Sequence, residues 1–130
     1  METTTIKFPV FLLAKDCGEF RKFNTALEMQ RNVERIDVEN QEYEAWDSNG
    51  VEVQLLIQEP VWLSLVSRPE GKGPAELLDA VNQYARSARI SISGRLSVDE
   101  VGPMIDRIRT GLEEQKIANS PIRRFLNRIT

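Results

Sequence analysis

The sequence predicts an α+β domain: a mostly antiparallel sheet of four to five strands, two hairpins plus a central strand, packed with three to four helices concentrated in the C-terminal half. Three observations carry this expectation. Apolar residues alternate with a period of two through most of the first half, and turn chemistry separates the runs by distances too short for parallel crossovers. Beyond residue 73 the apolar period lengthens to that of helices. The order is strand, strand, helix, three strands, then helices. At 130 residues, 41% apolar and 28% charged, the chain has the size and balance of one folded unit, so residues 1–130 are read as a single domain.

The first strand runs from Thr5 to Lys15, with Ile6, Phe8, Val10, Leu12 and Ala14 on one face. Pro9 cannot donate to a ladder, which places this strand at a sheet edge or puts a bulge there. Asp16-Cys17-Gly18 supplies a turn, and Glu19 to Phe23 returns as the second strand. Thr25 with Glu28 forms a capping-box pattern, and Met29, Val33 and Ile36 make one stripe of a helix from Ala26 to Ile36, ended by the polar run 37–41.

Asp47-Ser48-Asn49-Gly50 fits a type I turn whose Gly adopts the left-handed conformation, the three-residue hairpin loop with a bulge. This loop sets Asp47 near Val51, Ala45 near Val53 and Tyr43 near Leu55. One face then gathers Tyr43, Ala45, Val51, Val53, Leu55 and Ile57; the other gathers Glu42, Glu44, Trp46, Glu52, Gln54, Leu56 and Gln58. A two-residue Asn49-Gly50 loop would mix the faces and set Asp47 against Glu52, so the bulged loop is preferred. Trp46 thereby joins the polar face.

After Glu59-Pro60, the run Val61 to Val66 is apolar on both sides, the pattern of a central strand covered on both faces. Residues 68–73 form a connector, and Pro74 opens the strongest helix, with Leu77, Leu78, Val81, Tyr84, Ala85 and Ala88 as its buried stripe. Residues 90–96 read equally as a short strand or a loop. Ser97 with Glu100 is a second capping box; Gly102-Pro103 should kink the following helix or restart it at Pro103, and Val101, Met104, Ile105, Ile108 and Leu112 carry it to about Lys116. Asn119-Ser120-Pro121 begins a last short helix, 121–130, docked on the domain or on a partner. Its Ile122, Phe125, Leu126 and Ile129 share one face, and Arg123, Arg124 and Arg128 the other.

Net charge is −3, without the positive field that nonspecific nucleic-acid binding uses. The charge is uneven, with a balance of −5 over residues 1–68 and +2 over 69–130. Cys17 is the only cysteine, so no intramolecular disulfide exists and a reducing, cytoplasmic setting is expected. No apolar run reaches the roughly 20 residues that span a bilayer, and the first residues lack a signal-peptide pattern.

The chain contains no histidine, which removes the commonest general base and the commonest transition-metal ligand. No catalytic motif, metal site or cofactor is expected, and the thiol of Cys17 reads as an incidental turn residue beside Asp16 and Glu19. Two surfaces remain. Trp46 stands with Glu42, Glu44 and Glu52 as an acidic, aromatic face, either covered by the chain or exposed to a basic partner. The helix at 121–130, with Arg123, Arg124, Phe125 and Arg128, is the segment best suited to cover it or to dock elsewhere. Weak anion candidates are Lys72 and Gly73 before the Pro74 helix, and Arg95 in the Ser/Gly run. The expected function is noncatalytic protein–protein interaction, with a protein partner or a homo-oligomer and without nucleic acid. The alternative is a small-molecule or anion-binding domain, or a modest enzyme, with a pocket between sheet and helices.

Overall fold

Alternation and turn chemistry produce a five-stranded antiparallel sheet in the order β2-β1-β3-β4-β5. The strands are β1 (Val10–Ala14), β2 (Glu19–Phe23), β3 (Tyr43–Trp46), β4 (Glu52–Ile57) and β5 (Leu63–Arg68). Among the described residues, four helices accompany them: α1 (Ala26–Asn32), α2 (Arg35–Glu39), α3 (Pro74–Ser87) and α4 (Val101–Ala118). The computed structural model describes residues 5–60 and 62–118. The expected helix at 121–130 therefore lies outside the described residues, together with Arg123, Arg124, Phe125 and Arg128. Among the described residues, no helix is long and apolar enough to cross a membrane.

Both faces of the sheet are covered, by different helices. On one face, Phe11, Phe20 and Trp46 join Leu77, Val81 and Tyr84 of α3 and Val101, Ile105 and Ile108 of α4 in a single buried cluster. On the other, Val10, Leu12, Phe23, Ala45 and Val53 pack with Met29, Val33 and Val38 from α1 and the segment through α2. Burying an apolar side chain of this size stabilises by about 1.5–3 kcal/mol, so the two layers hold the sheet from opposite sides. Lys22 of β2 pairs with Asp106 at 2.5 Å, and Arg109 donates to the Phe20 carbonyl at 3.0 Å, tying α4 to the sheet.

The hairpin register follows from its loop. Gly50 has φ +81°, its N–H reaches the Asp47 carbonyl at 3.0 Å, and Asp47 N–H reaches the Val51 carbonyl at 2.8 Å. Ala45 lies opposite Val53 and Trp46 opposite Glu52, as the bulged loop requires. Asp47, 3% exposed, holds the loop: its Oδ1 accepts from Asn49 N–H at 2.9 Å and Val51 N–H at 3.0 Å. Gly50 also has to be Gly for space, because a Cβ there would lie 2.9 Å from Pro74 Cγ.

Several elements depart from expectation. Strand β1 starts at Val10 and is interior, because Pro9 ends the ladder instead of sitting inside it. The helix expected over 26–36 is two helices, since Val33 and Glu34 are extended; the break turns Ile36 outward, 59% exposed, and buries Val38 in its place. Residues 90–96 form no strand. Pro103 is accommodated in the first turn of α4, where its missing N–H has no intrahelical partner to lose, after a 3₁₀ turn over Val98–Glu100. The run expected at the centre of the sheet, β5, is an edge strand.

A mixed-charge cleft where the sheet divides

The β3–β4 ladder stops early. Asp47 and Val51 form one hydrogen-bonded pair and Ala45 and Val53 the next, but Tyr43 and Leu55, which the same register would bring together, are not paired. On the other side of β3 the ladder with β1 continues to Tyr43, and β4 remains paired with β5 as far as Ile57. The reason lies in the chain path. Before Tyr43 the backbone turns out of the sheet into α2, with Gln41 in the left-handed region (φ 56°) and Glu42 N–H bonded to the Asp37 carbonyl at 2.9 Å. The sheet thus divides into β2-β1-β3 and β4-β5, joined at Ala45 and Trp46.

A cleft of about 340 Å³ opens at this division. Val38, Ala45, Val53 and Leu55 give it an apolar floor. Three acids, Glu44, Glu52 and Glu70, and three bases, Lys15, Arg68 and Lys72, stand around it, with Gln41, Gln54 and the Tyr43 ring between them. The β4–β5 register sets Glu52 opposite Arg68 and Gln54 opposite Val66, so Arg68 is placed to donate from Nε to Gln54 Oε1 at 2.6 Å. Its Nη1 lies 3.8 Å from Glu70.

The connector between β5 and α3 crosses one side of the cleft. Glu52 accepts from the Lys72 N–H at 3.1 Å, and the Lys72 ammonium pairs with Glu44 on β3, so one residue links both halves of the divided sheet. Gly71 leaves room for the same approach: a Cβ there would sit 2.8 Å from Glu52 Oε1, and that carboxylate would have to swing aside. The hydrogen bond to Glu44 raises the Lys72 pKa above its ordinary value of 10.5, against an opposing effect of burial. Burial raises Tyr43 above 10.0, helped by nearby Asp37, to which its hydroxyl donates at 3.3 Å. Among the described residues, no group of three or more Cys, Asp or Glu side chains is arranged to hold a metal ion.

The residues singled out from the sequence fall in different places. Glu44, Glu52 and Lys72 meet at the cleft. Glu42 does not line it; it borders a separate depression with Asp16, Cys17 and Asp37. Gly73 spends its N–H on Glu76 Oε2 at 2.8 Å, a helix-capping contact. Arg95 is exposed on the coil after α3, away from the cleft. Trp46 shares the sheet face of Glu44 and Glu52 as expected, but at 1% exposure it is not a surface anchor. The chain covers it itself: α3 and α4 lie over this part of the sheet, and the indole packs 6.1 Å from the Phe20 ring. Lys15, Gln54, Arg68 and Glu70 had not been singled out. A turn centred on Pro60, with Gln58 opposite Trp62, sets Glu52 opposite Arg68 and is the signal that finds that pair.

Comparison with protein-family models, with curated proteins and with solved structures finds no match for this chain.

Proposed function

We propose that this chain is a noncatalytic binding domain whose recognition site is the cleft at the division of the sheet, and that its ligand is a small zwitterion, an amino acid or a short peptide. One observation carries the reading: where the β3–β4 ladder ends, a cavity of about 340 Å³ carries equal numbers of acids and bases over an apolar floor. Cavities of roughly 300–1,000 Å³ suit small ligands, and a few placed polar groups above an apolar surface orient them. Balanced charge favours a molecule that carries both signs over a simple anion or cation. Arg68 offers a planar donor to a carboxylate, and Glu44 and Glu52 accept from an ammonium group. The absence of histidine from the chain supports binding without turnover, and the single cysteine suits a reducing compartment, the cytoplasm.

Isothermal titration of the twenty amino acids and a set of dipeptides tests this. The expected result is saturable one-to-one binding of at least one of them, weakened about tenfold or more, 1.4 kcal/mol, by either Arg68→Met or Glu44→Gln. A blank panel, or unchanged affinity in both variants, overturns the assignment.

A second reading, interaction with a protein partner, is favoured by a different observation, the edge of β5, which no described strand pairs with. The basic segment with Arg123, Arg124, Phe125 and Arg128 adds a further proposed contact for an acidic partner.

A further inference from the structure

The two edges of the sheet are built differently. Edge strands invite pairing with other chains, and proteins blunt them with charges, prolines, bulges or short length. The β2 edge follows that rule: Glu19, Arg21 and Lys22 are three of its five residues. The β5 edge does not. Its six residues, Leu63-Ser64-Leu65-Val66-Ser67-Arg68, hold no proline, only one charge at the end, and an unbroken register with β4. Five of its six residues are uncharged, although its position is terminal.

The direction of its hydrogen bonds is fixed by the ladder. Gln58 N–H bonds the Trp62 carbonyl at 3.0 Å, so in this antiparallel pair Ser64, Val66 and Arg68 bond inward to β4. The N–H and C=O groups of Leu63, Leu65 and Ser67 therefore point outward, where no described strand pairs with them.

We propose that the outer edge of β5 pairs antiparallel with β5 of a second copy of this chain, extending two five-stranded sheets into one across a two-fold axis. The strand is self-complementary in the register centred on Leu65. Leu65 of one copy then faces Leu65 of the other, and Leu63 faces Ser67, so each outward N–H meets an outward C=O. Ser64 lies opposite Val66 in the closely spaced pairs. The single charge, Arg68, falls at opposite ends of the two strands, and no like charges oppose one another. The two-fold arrangement uses one strand twice and needs no second surface. Its small size places it among reversible dimers. This edge meets the cleft only at Arg68, whose backbone bonds inward to β4 and whose side chain turns to Gln54, so its failure would leave the ligand assignment standing.

Sedimentation equilibrium over a concentration series reads the assembly directly. The expected result is a reversible rise from the 14.9 kDa chain mass towards twice that mass. Ser67→Pro removes an outward N–H and no β4 hydrogen bond, so it should leave the circular dichroism spectrum unchanged and weaken dimerisation at least tenfold. Hydrogen exchange supplies an independent reading in the wild-type chain: the amides of Leu63, Leu65 and Ser67 should slow as concentration rises, while β2 amides do not. A monomer at every concentration, a dimer insensitive to Ser67→Pro, or concentration-independent exchange at these three amides overturns the proposal.

Discussion

Replacing Trp46 by alanine separates a covered tryptophan from an exposed one by several kcal/mol. The side chain is 1% exposed and lies in one cluster with Phe20, α3 and α4. Truncating a buried tryptophan costs about 3–5 kcal/mol, and the tilted ring pair with Phe20, centroids 6.1 Å apart, contributes roughly 0.5–1.5 kcal/mol of that interaction. One effect opposes the loss. The indole Nε1 is buried and finds no acceptor among the described residues, so removing this single neutral donor relieves a desolvation penalty of about 1 kcal/mol. The net expectation is a loss of about 2–4 kcal/mol, a large part of the 5–15 kcal/mol typical of a domain. Urea denaturation followed by far-ultraviolet circular dichroism measures it, and thermal unfolding should show a fall of about 7–15 °C. Trp46→Phe keeps a ring beside Phe20 and removes the unpartnered N–H, so it should lose less than half as much. A Trp46→Ala change within about 0.5 kcal/mol of wild type, the range of surface substitutions, would refute the packing described.

Three further outcomes are expected. Asp47→Ala removes the acceptor of two loop N–H groups and should cost about 2–4 kcal/mol in chemical denaturation, with Asp47→Asn, which keeps one carbonyl oxygen, losing less than half of that. Gly50→Ala meets both a left-handed φ and Pro74 and should cost about 2–4 kcal/mol, whereas Gly18→Ala, also at positive φ but in open space, should cost only about 1–2 kcal/mol; equal losses would remove the contact with α3 from the account. Tyr43, Tyr84 and Lys72 all have raised folded pKa values, the tyrosines mainly through burial and Lys72 through Glu44. For each, the protonated form is the one the fold favours, so their stabilisation is intact below the unfolded values of 10.0 and 10.5 and is lost as pH rises through the higher folded values. An alkaline titration should therefore show tyrosine ionisation and unfolding together above pH 10.0, with only a small share from the half-exposed Lys72.

Local chemistry was legible in the sequence and tertiary placement was not. The Asp47–Gly50 loop dictates its own register, because a left-handed Gly after a type I turn admits one pairing, and Ala45 indeed meets Val53. The stripe from Leu77 to Ala88 likewise gives the buried side of α3. Strand order carries no such local signal: alternation shows which side chains share a face, not which strand lies beside which, and β5 reads as central while standing at the edge. Trp46 was placed on the correct face among its acids. What hides it is α3 and α4, which arrive from residues 74–118. The cleft is legible only in fragments, since Glu44, Glu52 and Lys72 stood out as charges while their meeting depends on a ladder that ends where the chain leaves for α2.

An amide-resolved nuclear magnetic resonance titration of the wild-type chain with the tightest-binding zwitterion bears on the proposed cleft site without any substitution. The expected result is saturable shifts concentrated at Tyr43, Gln54, Arg68 and Lys72, on both banks of the cleft, with the amides of α4 unmoved. Shifts centred elsewhere, or none at saturating ligand, would contradict it.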